Sequence, residues 1–154
     1  MRSFGEADRK KKNARIQLQE NSGNLSNEVL SQLEDMVKAS LKGGYLPCAV
    51  AFKIANEAQV SKVAVGEMTD RLGIRVTDCQ TGCFKVDKTI HDNSAYGDPD
   101  DGIVSKLNAL RENNELTCAK VFDLAEQFKS TPMAIADVAN LRNLKIYSCQ
   151  LGCW

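Results

Sequence analysis

The sequence contains one stretch twice, and that duplication limits the possible folds more than any other feature. Residues 46–84 and residues 116–154 align without a gap at an offset of 70 positions. Ten aligned pairs are identical, and they include all six cysteines of the chain as Cys48/Cys118, Cys79/Cys149 and Cys83/Cys153. Since a repeat at a fixed period marks a repeated structural unit, we expect both copies to fold alike.

Length and charge restrict the classes of protein that the sequence allows. A chain of 154 residues carrying this duplication predicts two similar modules of about fifty residues each, packed together because such small units have small cores. The 20 basic and 20 acidic side chains balance, so no overall field attracts nucleic acid or a membrane. No stretch has the apolar length of a signal peptide or a membrane span. We therefore expect a cytoplasmic protein whose cysteines are thiols or metal ligands rather than structural disulfides.

The composition divides the chain into four segments. They are a disordered basic tail at 1–25, a first repeat at 26–84, an acidic linker at 85–101 and a second repeat at 102–154. The tail carries the basic residues Arg9, Lys10, Lys11, Lys12 and Arg15. Such a polar segment cannot bury enough apolar surface to order itself. The other interpretation is a basic arm that lies on DNA phosphates.

The first repeat shows the boundaries of three helices and one strand. Ser26 is an N-cap for a helix that Gly43 and Gly44 end, and Pro47 suits the first position of a second helix. Ser61 caps a third helix, which Gly73 terminates. The alternation over Ile74–Thr77 then predicts a short strand.

The second repeat has the same pattern, with Thr131-Pro132 at the start of its third helix and a strand at Leu144–Tyr147. We therefore predict a mainly α fold of two tandem trihelical repeats of the helix–turn–helix or winged-helix type, each with a short β-strand. The two strands are expected to pair with each other about a pseudo-twofold axis.

The spacing within each copy is typical of a helix–turn–helix unit. A small residue in the second helix, Ala55 or Ala125, is followed by a turn four residues later and by buried aliphatic residues in the third helix. The phrase LPCAVAFKIANE, the following VS turn and DRLGIRVTDCQTGCF resemble a little-characterised family related to the molybdate-responsive regulators. The resemblance covers most of 46–84 and 116–154. It implies a DNA-binding fold and a regulatory role, without an established ligand.

DNA contact would depend on a few basic side chains beside the basic arm. They are Lys62, Arg71, Arg75, Arg142 and Lys145. Charges cancel in the first copy and leave +1 in the second, whereas a DNA reader usually concentrates positive charge because phosphate contacts supply much of its affinity. An interaction module of the same fold therefore stays an open alternative.

The cysteines form the pattern Cys-x30-Cys-Gln-x-Gly-Cys in each copy. One interpretation is a three-thiolate metal site per copy, formed by Cys48, Cys79 and Cys83 and by Cys118, Cys149 and Cys153. Zinc would need a fourth ligand, which His91 offers to the first copy alone, while an iron–sulfur cluster suits both. The alternatives are buried cysteines acting as small hydrophobic residues and a thiol redox switch. Gln80/Gln150 and Gly82/Gly152 are expected to shape the turn.

No arrangement of catalytic groups recurs in both copies, so we predict that the protein is not an enzyme. The predicted function is a DNA-binding transcription regulator, responsive to a metal or to redox state through its cysteines. The alternative is a metal or iron–sulfur binding protein that acts as a non-DNA interaction subunit. The candidate partners are DNA, another protein or a second copy of the chain, and we expect no contact with a membrane.

Overall fold

The computed structural model describes residues 21–83 and 100–153, together with Glu6 and Lys10. Within these residues the chain forms six helices and one two-stranded parallel sheet. The mainly helical class predicted from the sequence is therefore confirmed. None of the described helices combines the length and the apolar character needed to cross a bilayer.

The first repeat consists of three helices and two short strands. In chain order they are α1 (Asn27–Ala39), β1 (Tyr45–Pro47), α2 (Cys48–Ala58), α3 (Lys62–Arg71) and β2 (Arg75–Thr77). The second repeat contains α4 (Asp101–Glu112), α5 (Cys118–Gln127) and α6 (Pro132–Leu141). Most of the predicted tail and linker, including His91, lies outside the described residues. Asp100 and Asp101, the last residues of that predicted linker, cap and begin α4.

Side-chain caps fix the starts of the helices, as the sequence predicts. The Ser26 hydroxyl accepts from the Val29 N–H, and the Ser61 hydroxyl accepts from the Ala64 N–H. Thr131 caps α6 in the same way. Pro47 departs from the prediction, because its ψ of 139° is extended and α2 begins one residue later, at Cys48.

Backbone pairing takes place within each repeat, so the predicted pairing of the two strands Ile74–Thr77 and Leu144–Tyr147 with each other is wrong. β1 runs parallel to β2, with Leu46 opposite Val76 and Pro47 opposite Thr77. At the equivalent positions of the second repeat, Thr117 and Tyr147 form a single parallel bridge. The predicted strand at Leu144–Tyr147 is thus reduced to that bridge. The predicted strand at Ile74–Thr77 is one residue shorter, at Arg75–Thr77.

The backbone repeats itself more faithfully than the side chains do. Five positions with positive φ recur at the offset of 70, as Gly44/Asn114, Gln59/Lys129, Gly73/Asn143, Asp78/Ser148 and Gly82/Gly152. Four of these pairs differ in residue type, so at these positions the two copies share the backbone conformation and not the side chain. The order of buried and exposed residues in 51–60 is also repeated at every position in 121–130.

The described residues form two compact units whose boundaries do not coincide with the repeats. The N-terminal unit contains residues 21–79 and the segment Leu151–Cys153, and the C-terminal unit contains residues 80–83 and 100–150. The short segment after each strand position, 80–83 or 151–153, therefore belongs to the unit built mainly from the other repeat. We call Leu151–Cys153 the C-terminal strap.

Each unit has an apolar core of its own. In the N-terminal unit the largest fully buried side chains are Leu33, Val37, Leu46, Ile54, Val65, Met68 and Thr69. In the C-terminal unit the core cluster includes Leu107, Leu116, Val121, Ile135 and Ile146. Leu46/Leu116, Val65/Ile135 and Val76/Ile146 are equivalent pairs that are buried in both units, which explains why these positions stay aliphatic.

Candidate functional site

One cysteine of each copy begins a helix beside the paired backbone segments. Cys48 is the first residue of α2, and Cys118 is the first residue of α5. The Cys118 N–H donates to the Tyr147 carbonyl at 2.9 Å, and the Tyr147 N–H donates to the Leu116 carbonyl at 2.9 Å. These bonds hold the start of α5 against the segment that leads into Cys149.

The loop after each strand position keeps one backbone conformation in both copies. It enters through a left-handed residue, Asp78 at φ 51° or Ser148 at φ 54°, and leaves through Gly82 at 70° or Gly152 at 76°. Glycine adopts this region without the steric cost that a side chain carries, which accounts for its identity in both copies. The predicted turn-forming role of the glycines is therefore confirmed.

A side-chain contact that the sequence did not predict joins this loop to the helix start. Gln150 donates from Nε2 to the Sγ of Cys118 at 3.6 Å. A polar amide at the sulfur distinguishes this thiol from a cysteine surrounded only by hydrocarbon. The sequence did signal that this glutamine matters, because Gln80 and Gln150 are identical in the two copies. It did not show that Cys118 is the partner of Gln150.

The cysteines differ in exposure. All six lie among the described residues and each is present as a thiol. Cys48, Cys79 and Cys118 are buried, Cys149 and Cys153 are half-buried, and Cys83 is exposed. The Cys83 sulfur lies 3.3 Å from the Thr81 hydroxyl oxygen. Reagents in solution therefore have better access to the last cysteine of each copy, Cys83 or Cys153, than to the first, Cys48 or Cys118.

The structure regroups the two predicted cysteine sets. Cys48 and Cys79 belong to the N-terminal unit together with Cys153, whereas Cys118 and Cys149 belong to the C-terminal unit together with Cys83. The third thiol of each predicted set is thus in the opposite unit. Within the described part of the chain, no three His, Cys, Asp or Glu side chains are placed to hold a metal ion. The zinc or iron–sulfur site stays a prediction from the sequence.

The predicted DNA-binding side chains lie at the ends of the third helices and in the segments that follow. Lys62 begins α3 and places its Nζ 4.7 Å from the centre of the Phe52 ring. Arg71 ends α3 and Arg75 lies in β2, both half-buried. In the second repeat, Arg142 follows α6 and is exposed, as is Lys145, whose Nζ is 5.2 Å from the Tyr147 ring centre.

A segment that precedes α1 lies against α3. The Ser22 N–H donates to Oε2 of Glu67 at 3.2 Å. Asn21 and Leu25 of the same segment line a small cavity with Glu67 and Arg71 of α3. Part of the α3 surface that carries charged side chains is therefore engaged within the N-terminal unit, which sequence reasoning missed.

The C-terminal strap contacts the neighbouring residue of α3. Gly66 is buried, and a Cβ built on it would lie 2.8 Å from the Leu151 carbonyl carbon and closer still to the carbonyl oxygen. Leu151 itself is 3% exposed. The equivalent of Gly66 in α6 is Ala136, which is fully buried. The glycine is thus required by a close approach of backbone to helix, and not by its own φ.

Comparison with protein-family models, with curated proteins and with solved structures found no match. The resemblance to regulator families therefore stays a prediction, and the geometry of the chain carries the functional argument.

Proposed function

We propose that the protein is a DNA-binding transcription regulator built from two tandem helix–turn–helix units. The observation that carries this proposal is the connection between the second and third helices. It is three residues long from α2 to α3 and four residues long from α5 to α6. Each connection contains one left-handed residue, Gln59 or Lys129. Helix–turn–helix units use a connection of this length, often with glycine in it.

In such units the second helix of the pair lies in the major groove, and its first residues meet the base edges. Here those helices are α3 and α6. The first turn of α3 carries Lys62 and Val63, which is 42% exposed. Basic groups at or beyond the other ends of these helices, Arg71, Arg75, Arg142 and Lys145, would contact phosphates. Since the chain has no net charge, these few contacts would supply most of the affinity, which should fall steeply as salt rises.

The test is binding of the full chain to double-stranded DNA at a series of salt concentrations. The variant Arg71→Ala, Arg75→Ala and Arg142→Ala should bind more weakly and show a shallower dependence on salt, by roughly one unit of slope for each phosphate that is no longer neutralised. The matched control is Lys38→Ala, Lys53→Ala and Arg111→Ala, which removes the same charge from α1, α2 and α4. Equal weakening in the two variants, or no binding at low salt, would reject the proposal.

A second candidate is a thiol-bearing interaction subunit that does not bind DNA. It is supported by the twice-preserved cysteine loop and by the Gln150 contact with Cys118. Metal analysis of anaerobically purified protein, beside a Cys79→Ser and Cys149→Ser sample, tests whether zinc or an iron–sulfur cluster is bound. Metal in the first sample and none in the second would support this candidate. Two metal-free samples would remove the metal from the proposal.

A further inference from the structure

The C-terminal strap approaches the backbone of α3 closely at Gly66. The Leu151 carbonyl group fills the space that a side chain at residue 66 would occupy. Because this group is backbone, no rotamer change could move it away. The strap therefore seats on α3 only while residue 66 is glycine and Leu151 keeps its position.

The strap adjoins the contact made by the segment before α1. Gly66 meets the strap, and the next residue, Glu67, accepts a hydrogen bond from Ser22. Two segments distant in sequence thus hold successive residues at the middle of α3. That helix is also the proposed DNA-reading helix of the first repeat.

A cysteine that is not fully buried lies at the end of the strap. Cys153 is half-buried, two residues beyond Leu151, which is 3% exposed. An adduct on Cys153 adds volume beside a tightly packed backbone, and close-packed regions respond to added volume by displacement. The strap is the part that can give way, because α3 is anchored in the core by Val65 and Met68, which are both buried.

We propose that the C-terminal strap is a regulatory clasp on α3, released when the Cys153 thiol adds to an electrophilic alkene, its sulfur bonding one alkene carbon and its proton passing to the other. While seated, the strap fixes the middle of α3. Once the strap is released, α3 loses its packing at Gly66, so its backbone hydrogen bonds open more often and its amides exchange faster with solvent. The clasp would connect thiol chemistry in the second repeat to a helix of the first. Its link to regulation rests on the proposed DNA-binding function, while its structural part does not.

The test uses the full chain with Cys83→Ser and Cys149→Ser, so that Cys153 is the remaining cysteine outside the buried set. N-ethylmaleimide forms a bond from the Cys153 sulfur to one alkene carbon, and the thiol proton ends on the neighbouring carbon. Mass spectrometry confirms a single adduct. Hydrogen exchange then compares amides 65–69 of α3 with amides 135–139 of α6, which serve as the internal control.

We expect at least a tenfold faster exchange in α3 after modification, with α6 unchanged. Gly66→Ala without any reagent should produce the same change in α3. The clasp proposal would be wrong if Cys153 were completely modified and the exchange rates of α3 amides did not change. It would also be wrong if the Gly66→Ala variant kept the α3 exchange rates of the unsubstituted protein. Binding of the unmodified protein to DNA is measured separately, so failure of the proposed function does not alter the outcome of the exchange experiment.

Discussion

The carbonyl group of Leu151 lies where the side chain of residue 66 would be, and Gly66 has no side chain to exclude it. The two residues are 85 positions apart in the sequence, yet both belong to the N-terminal unit. The N-terminal unit is thus completed by residues from the end of the second repeat. Several properties of the chain depend on this one approach.

The effect of Gly66→Ala should change sign with the presence of the strap. Alanine favours a helix over glycine by about 1 kcal/mol, but in the full chain it would displace the strap and expose Leu151, which costs about 1.5–3 kcal/mol. We expect a net loss of about 0.5–2 kcal/mol, or about 1–8 °C in Tm for a chain of this size. In a chain that ends at Gln150 the same substitution should raise Tm.

Four proteins form a double-mutant cycle: the full chain, the chain ending at Gln150, and each of these with Gly66→Ala. Their thermal unfolding gives a coupling free energy that isolates the interaction of the strap with residue 66. Ala136→Gly is the control in the second repeat, because it should destabilise by about 1 kcal/mol whether or not the strap is present. Additive effects of Gly66→Ala and the truncation would mean that the strap does not contact α3 in solution.

The turn residues Gln59 and Lys129 are exposed and adopt positive φ, at 55° and 50°. The left-handed region costs a side-chain-bearing residue about 1–2 kcal/mol, while glycine costs about 0.5–1 kcal/mol more backbone entropy. Gln59→Gly and Lys129→Gly should therefore each stabilise by up to about 1.5 kcal/mol. Denaturant unfolding measures this, with Asn56→Gly inside α2 as a control that should destabilise. Lower stability in both turn variants would contradict the left-handed conformation.

Ser61 and Thr131 cap α3 and α6 by accepting from the backbone N–H groups of Ala64 and Ala134. Ser61→Ala and Thr131→Ala should each lower the free energy of unfolding by about 1 kcal/mol. Their effects should add in the double variant, because the two caps belong to different units and share no partner. Urea unfolding checks both expectations, and a double variant no less stable than either single variant would show that one cap is not formed.

Alkylation of the native protein should follow the exposure of the cysteines. Cys83 should react first, Cys149 and Cys153 next, and the buried Cys48, Cys79 and Cys118 last, because a reagent reaches a buried thiol only through local opening. Peptide mapping after a short pulse of N-ethylmaleimide measures the order. Protein unfolded in guanidinium chloride is the control, and its six cysteines should react at similar rates. Rapid native reaction at Cys118 would contradict its burial.

Local signals in the sequence were sufficient for the helices. Ser26, Ser61 and Thr131 mark helix starts through a short-range bond to the backbone, so their role can be recognised without knowing the fold. β1 was missed because Tyr45–Pro47 is only three residues long and Pro47 also suits a helix start. The predicted second strand failed for a related reason. Its alternating pattern is compatible with a strand, but among its residues only Tyr147 forms a β-bridge, with Thr117.

The sequence identified the residues of the candidate site, but it did not predict which cysteines lie in the same unit. The duplication identified the six cysteines and the glycine turns, because both copies keep them. It suggested that Cys48, Cys79 and Cys83 act as one set, since the pattern Cys-x30-Cys-Gln-x-Gly-Cys recurs in both copies. Assignment of Cys83 and Cys153 to opposite units depends on long-range packing, such as that of Leu151 on Gly66. No local pattern records a contact of this kind.

The assignment of residues 80–83 and 151–153 to opposite units has a consequence for proteolysis. Cleavage of any one peptide bond within 84–99 would separate the two repeats in sequence. It would not yield two fragments that each contain all the residues of one unit. Each fragment would still carry a few residues that the other requires, so the nicked protein should elute from a sizing column as one species and separate only under denaturing conditions.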